Sequence, residues 1–187
     1  MPSLHRLFAA VCLVPALTAL AAKEESLSLF ENRRVSVAVP EGCSYSAFKT
    51  EDGLATVKIS NAQGSIALEV SFLPDPAGQF NAARDRAELM VERFQFYVAG
   101  SVEKAMQFEE LRPRSGAGTY CTFTDAKLVG RKDFPPGEFL HATVGLKTWP
   151  GVVAIFTLFS NDPVSPAHQA AMKLLRESLQ ERPVPLR

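Results

Sequence analysis

Downstream of residue 22, four side chains are cysteine or histidine, the types that most often carry nucleophilic and metal chemistry: Cys43, Cys121, His141 and His168. A thiol beside an imidazole is a nucleophile and its base, so Cys121 with His141 would make a Cys/His hydrolase. The sequence around Cys121 gives no helix N-terminus or basic cluster to lower a thiol pKa, and a core cysteine with an edge histidine is the plainer reading. His141 alternates with Thr143 and Lys147 on the less apolar face of a strand, and His168 falls in the first turn of a helix, where a surface position is expected. Structural zinc needs about four closely spaced ligands and catalytic zinc three. Here the candidates are scattered singly, so no metal and no cofactor is expected. The Arg112–Gly118 stretch is basic and contains glycine, yet it lacks the Gly-Lys-Ser/Thr ending of a phosphate loop and leads into a strand. It reads as a turn.

The same cysteines admit a second chemistry. In an oxidising compartment an even count invites a disulfide. A Cys43–Cys121 bridge would close a loop of 79 residues, worth about 4 kcal/mol in the chain-entropy model. The alternative is a pair of free thiols packed as small hydrophobes. Two further features read as contact surface. Arg131, Lys132 and Phe134 lie in a charged, proline-containing connection between strands, and Trp149 precedes Pro150-Gly151 at a hairpin tip, where an exposed tryptophan would serve as an anchor.

The compartment is set by the first 21 residues. Arg6 supplies positive charge, Leu7–Leu20 is apolar apart from Pro15 and Thr18, and Ala19-Leu20-Ala21 offers a small-x-small cleavage site. The stretch is shorter than the roughly 20 residues that span a bilayer, so it reads as a cleaved export signal, with the protein periplasmic or extracellular. No second apolar stretch of membrane length follows. The remaining 166 residues suit one domain at 22–182 and a short tail at 183–187. Cleavage leaves a net charge of −1, without the basic excess that a nucleic-acid partner demands.

The elements that would position these residues follow from periodicity. Val35, Val37 and Val39 alternate, as do Ala55, Val57 and Ile59, and then Ile66, Leu68, Val70 and Phe72. A period of two means half-buried strands. From Phe80 the spacing changes to three and four residues (Ala83, Ala87, Met90, Val91, Phe94, Val98), predicting a helix that ends near Gly100. Strands around Ala105–Leu111 and from Gly116 to about Val129 precede the hairpin of Leu140–Leu146 and Val152–Phe159. The second arm of that hairpin is apolar on both faces, so both must be covered. Ser165-Pro166 opens a last helix with Ala171, Leu174, Leu175 and Leu179 inside. The expectation is an α+β domain: a single antiparallel sheet of about seven strands, with two helices on opposite faces. Phe96 and Tyr97 find no clear place in that scheme. The supply of aromatics, with Met90 and Met106, could line an apolar pocket.

In its order of elements the chain resembles the PsbP-like superfamily and related bacterial exported proteins. The resemblance lies in Val39-Pro40-Glu41-Gly42, Phe72-Leu73-Pro74, the Phe80–Val98 helix and Leu174-Leu175-Arg176-Glu177-Ser178-Leu179; Cys43 stands where an aromatic is expected. It implies a non-catalytic accessory, chaperone-like or adaptor protein that binds a protein or cell-envelope partner. A carrier of a small apolar ligand held between sheet and helix is the alternative.

Overall fold

A computed structural model describes residues 23–30, 33–51 and 53–182. The proposed export signal and the 183–187 tail lie outside the described residues. The strands are β1 (Lys23–Ser28), β2 (Arg34–Val39), β3 (Cys43–Lys49), β4 (Ala55–Asn61), β5 (Ile66–Asp75), β6 (Glu109–Glu110), β7 (Ala117–Thr124), β8 (His141–Trp149), β9 (Gly151–Ser160) and β10 (Leu179–Arg182). The helices are α1 (Ala83–Phe94), the short α2 (Phe96–Gly100) and α3 (Pro166–Lys173), which runs on into a π-helical turn, Leu174–Ser178.

The α+β class and the antiparallel pairing stand, but the single sheet is corrected to two. A seven-stranded sheet runs β3-β4-β5-β9-β8-β7-β6, and a three-stranded sheet runs β1-β2-β10. Strand β9 sits at the centre of the larger sheet, which is why its sequence is apolar on both sides. Its Val152, Ala154, Phe156 and Leu158 pack into one core with β2, α3 and the π-helical turn. Val153 and Ile155 pack into a second core, where Met90 and Phe94 of α1 lie over Cys121, Phe123, Val144 and Leu146. One face of the large sheet is thus roofed by the small sheet and the C-terminal helix, the other by α1.

The C-terminal segment departs from the predicted helix. Ser165 caps α3 by accepting from the His168 amide, and Pro166 follows at the first helical position. The regular helix ends at Lys173, the π-helical turn widens the coil, and Leu179 turns out as the first residue of β10 beside Val37. Helix ends leave carbonyls without amide partners. Lys147 of β8, with no exposed surface, meets this need: its Nζ donates to the carbonyls of Leu175 at 2.9 Å and Leu179 at 2.6 Å. The ammonium also lies 4.8 Å from the centre of the Trp149 ring.

Trp149 is accordingly no surface anchor. Strand β8 extends through it, and the turn to β9 is made by Pro150 and Gly151, the glycine at φ +82°, as a type II turn requires. The ring is buried at 5% exposure and its Nε1 donates to Ser115 Oγ at 3.3 Å. The polar residues before the proline mask a strand that simply runs to the turn.

Burial pulls the Lys147 ammonium from its ordinary 10.5 down to about 8. Between those two values the unfolded chain holds a proton that the folded one has lost, so stability rises with pH across that window. Lys147→Met should destabilise the protein by roughly 2 kcal/mol at pH 7, because two buried carbonyls lose their donor. The gap between variant and wild type should widen from pH 8 to 10.5 in urea denaturation, since only the wild type gains from deprotonation.

Candidate functional site

Three residues directly opposite one another across β7, β8 and β9 are Phe123, Ala142 and Phe159. They share the α1 face of the sheet, and the small alanine between two phenylalanines leaves a gap. Helix α1 does not fill it. The helical path breaks at Gln95, and α2 carries Phe96 and Tyr97 past the edge of the gap. Tyr97 stacks on Phe123 with ring centres 5.6 Å apart, and Phe96 packs on Tyr97 at 4.3 Å. On the other side Phe139 stacks on Phe159, also at 5.6 Å. The result is a half-open cleft of about 200 Å³ with aromatic side walls and Ala142 at its base.

Backbone bonds hold the rim. Val102 donates to the Thr124 carbonyl at 2.8 Å, Asp125 to Leu140 at 2.8 Å and Ala126 to Gly100 at 3.0 Å. Ser101 and Asp125 bring the polar groups, but the Ser101 hydroxyl is engaged with Val98 O at 3.0 Å. Burial, with Glu69 adding to it, raises the pKa of the Tyr97 phenol, so the cleft is uncharged along that wall. Phe96 stands at its mouth with 66% of its surface exposed.

The connection expected to be a contact surface lies next to this cleft. A depression of about 410 Å³ shares Asp125, Phe139 and Phe159 with it and includes Arg131, which is 3.7 Å from Glu138. Lys132 is exposed and Phe134 half-buried. Sequence reasoning did not identify Phe139, Ala142 and Phe159 as one site. The signal was the large-small-large row, visible only once strand register is known.

The thiols and imidazoles do not converge. Cys121 is opposite Val144 and His141 opposite Thr124, so they lie three positions apart along the ladder and on opposite faces. Burial, with Glu103 and Glu109 adding to it, pushes the Cys121 thiol up to about 12. This geometry is not a nucleophile–base pair. His141 Nδ1 is 3.2 Å from Thr124 Oγ1, and burial lowers its pKa against the opposing pull of Glu103 and Asp162. Glu103, despite burial that favours its acid form, is held below the usual carboxylate range by hydrogen bonds from the Thr124 amide at 2.9 Å and hydroxyl at 2.8 Å, with His141 nearby. Among the described residues no three His, Cys, Asp or Glu side chains are grouped to hold a metal ion.

Two expectations need correction. Cys43 and Cys121 are free, on β3 and β7 with four strands between them. At about 4.8 Å per strand that is roughly 24 Å, beyond the ~7 Å a bridge allows. Cys43 also packs against the other core from Cys121. His168 is buried, not on the surface; its spacing with Ala171, Met172 and Leu175 was the helical stripe that could have shown this. Its Nδ1 is 2.9 Å from the buried Ser160 hydroxyl.

No family model, curated protein or solved structure matches the chain. The geometry defines an α+β protein with an aromatic cleft on one sheet face, and its chemistry is read from its own residues.

Both cysteines should be alkylated without reductant when the denatured protein is digested and mapped by mass spectrometry. Burial, chiefly, lowers the pKa of His168. The unfolded chain therefore takes up its proton first as pH falls through 6.5, and that share of stability is lost below that point. Urea midpoints at pH 7.5 and 5.5 should show a smaller acid loss in His168→Asn than in the wild type.

Proposed function

We propose that this chain is an exported, non-catalytic accessory or adaptor protein that binds a protein partner in the cell envelope, receiving an apolar side chain of that partner in the aromatic cleft. The observation that carries this reading is the Phe123–Ala142–Phe159 row with Phe96 exposed at its mouth. Size favours a side chain over a larger ligand. Small-molecule sites usually measure about 300–1,000 Å³, whereas an apolar cavity of about 150 Å³ takes one benzene ring; the cleft is about 200 Å³. Aromatic anchors seated in such pockets dominate protein contacts. The charged Arg131–Glu138 pair beside it suits the polar rim of an interface. The signal read in residues 1–21 supports an exported setting, and the resemblance to PsbP-like proteins in order of elements supports a binding role. No helix among the described residues is long and apolar enough to cross a membrane.

A second reading, a carrier of a small apolar ligand, draws on the adjoining 410 Å³ depression, which shares a wall with the cleft. Together the two spaces would suit a compact ligand.

Capture from envelope extract, read by mass spectrometry, tests the proposal. Ala142→Phe fills the gap and Phe96→Ala removes the exposed ring. Both should lose the captured partner while Phe96→Ala leaves stability within about 0.5 kcal/mol of wild type. Equal capture by wild type and both variants would overturn the proposal. A small molecule seen bound in native mass spectrometry, and displaced in Ala142→Phe, would favour the carrier.

A further inference from the structure

The far end of the large sheet from the cleft is β3, and its outer edge is unlike the other edges. Strand β6 has two residues, both glutamate, and much of β7 beyond it is engaged through Leu111 with Gly118 and Val102 with Thr124. Strand β1 opens Lys-Glu-Glu, and β10 has four residues. Strand β3 runs seven residues, Cys-Ser-Tyr-Ser-Ala-Phe-Lys, with one charge at its end and no proline. Soluble proteins usually blunt such an edge with charge, proline or a bulge.

The hydrogen-bonding phase says which groups point outward from β4. Thr50 donates to the Leu54 carbonyl at 2.9 Å, closing the β3–β4 hairpin. Antiparallel pairs alternate between bonded and non-bonded, so Phe48, Ser46 and Ser44 bond to Thr56, Lys58 and Ser60, their partners in register. The amides and carbonyls of Tyr45, Ala47 and Lys49 therefore point away from β4. Donors and acceptors repeating every second residue along a line are matched by one thing, another extended backbone.

We infer that β3 pairs with β3 of a second copy, antiparallel about a two-fold axis through Ser46. In that register Tyr45 and Ala47 of the two copies exchange both hydrogen bonds, Cys43 faces Lys49, Ser44 faces Phe48 and Ser46 faces Ser46. The bonded positions coincide on both strands and no like charges meet within the strand. At its ends the Cys43 amide is already given to the Pro40 carbonyl at 3.2 Å, so the Cys43–Lys49 pair keeps one hydrogen bond, from the Lys49 amide to the Cys43 carbonyl. Phe48, 40% exposed in the single chain, gains a neighbour across the axis. Such a contact is isologous and closed, so it stops at two copies. One strand pair is a small interface, under about 1,200 Å², so the dimer forms at high concentration and dissociates on dilution.

Sedimentation equilibrium of the purified full-length expression product, from micromolar to millimolar, should show mass rising from one chain to two. Ala47→Pro removes an outward amide without touching the β3–β4 ladder and should stay monomeric throughout, with an unchanged melting temperature. Should that variant fail to fold, Ser46→Lys and Ser46→Glu serve instead: each repels itself across the axis, and an equal mixture should dimerise. A wild type that stays monomeric to millimolar concentration overturns the inference. So does a dimer whose dissociation constant is unchanged in Ala47→Pro and in both Ser46 variants. These variants lie away from the cleft, so loss of dimer and loss of envelope capture are separable outcomes.

Discussion

The Lys147 ammonium and the two carbonyls it holds join parts of the chain that share no backbone ladder. Lys147 belongs to the large sheet, Leu175 to the turn that ends the last helix, and Leu179 to the small sheet. A buried charge is costly unless its donors are satisfied, and here the charge is placed where helix carbonyls are left over, with the Trp149 ring against it. Other contacts support the same corner. Arg176 of the π-helical turn donates to the Leu111 carbonyl at 3.1 Å, and its own carbonyl accepts from the Arg114 amide at 2.8 Å. Arg33 ties the small sheet to the β8–β9 turn through Pro150 O at 2.8 Å and Glu181 at 2.5 Å. The widened turn follows from these demands: the helix must stop early enough for Leu179 to reach β2.

The opposite face is held differently. Arg86 of α1 is buried, with Nε on Thr119 Oγ1 at 3.0 Å and Nη1 on the carbonyls of Phe80 and Asn81 at 3.1 and 2.5 Å. It clamps the start of α1 onto β7, while Met90 and Phe94 cover the middle of the sheet. The clamp is at one end of the helix, so cover is complete there and runs out at the other, beside Phe123, Ala142 and Phe159. The cleft is where the roof stops over a row with a small residue in its middle.

Periodicity made the inner strands legible. Alternation marks β2, β4, β5, β8 and β9, each flanked on both sides, because burial of one or both faces leaves a pattern in residue type. The peripheral strands carry no such pattern. Lys23–Ser28 is mostly polar, Cys43–Lys49 mostly exposed, and Leu179–Arg182 reads as a continuing helix. With β1 and β10 unseen, β2 had no small sheet to join, and the second layer was missed. His168 was misjudged because residue type suggested water, while the Ser160 hydroxyl that satisfies it sits on β9. The burial of Lys147 left no trace in the sequence because its acceptors are backbone carbonyls 28 and 32 residues further on.

The order of strands bears on when the protein can fold. Strand β9 lies between β5 and β8, so the early half of the large sheet has no neighbour on its inner side until residues 151–160 exist. Strand β10, at 179–182, must then arrive before β2 is flanked on both sides and before Lys147 has both acceptors. Long-range pairings of this kind form slowly. A chain emerging from its N-terminus therefore stays open, with neither sheet complete, until residues 179–182 are made. For the exported protein proposed above, that delay is a window in which the polypeptide remains loose enough to be threaded across a membrane before it closes on itself.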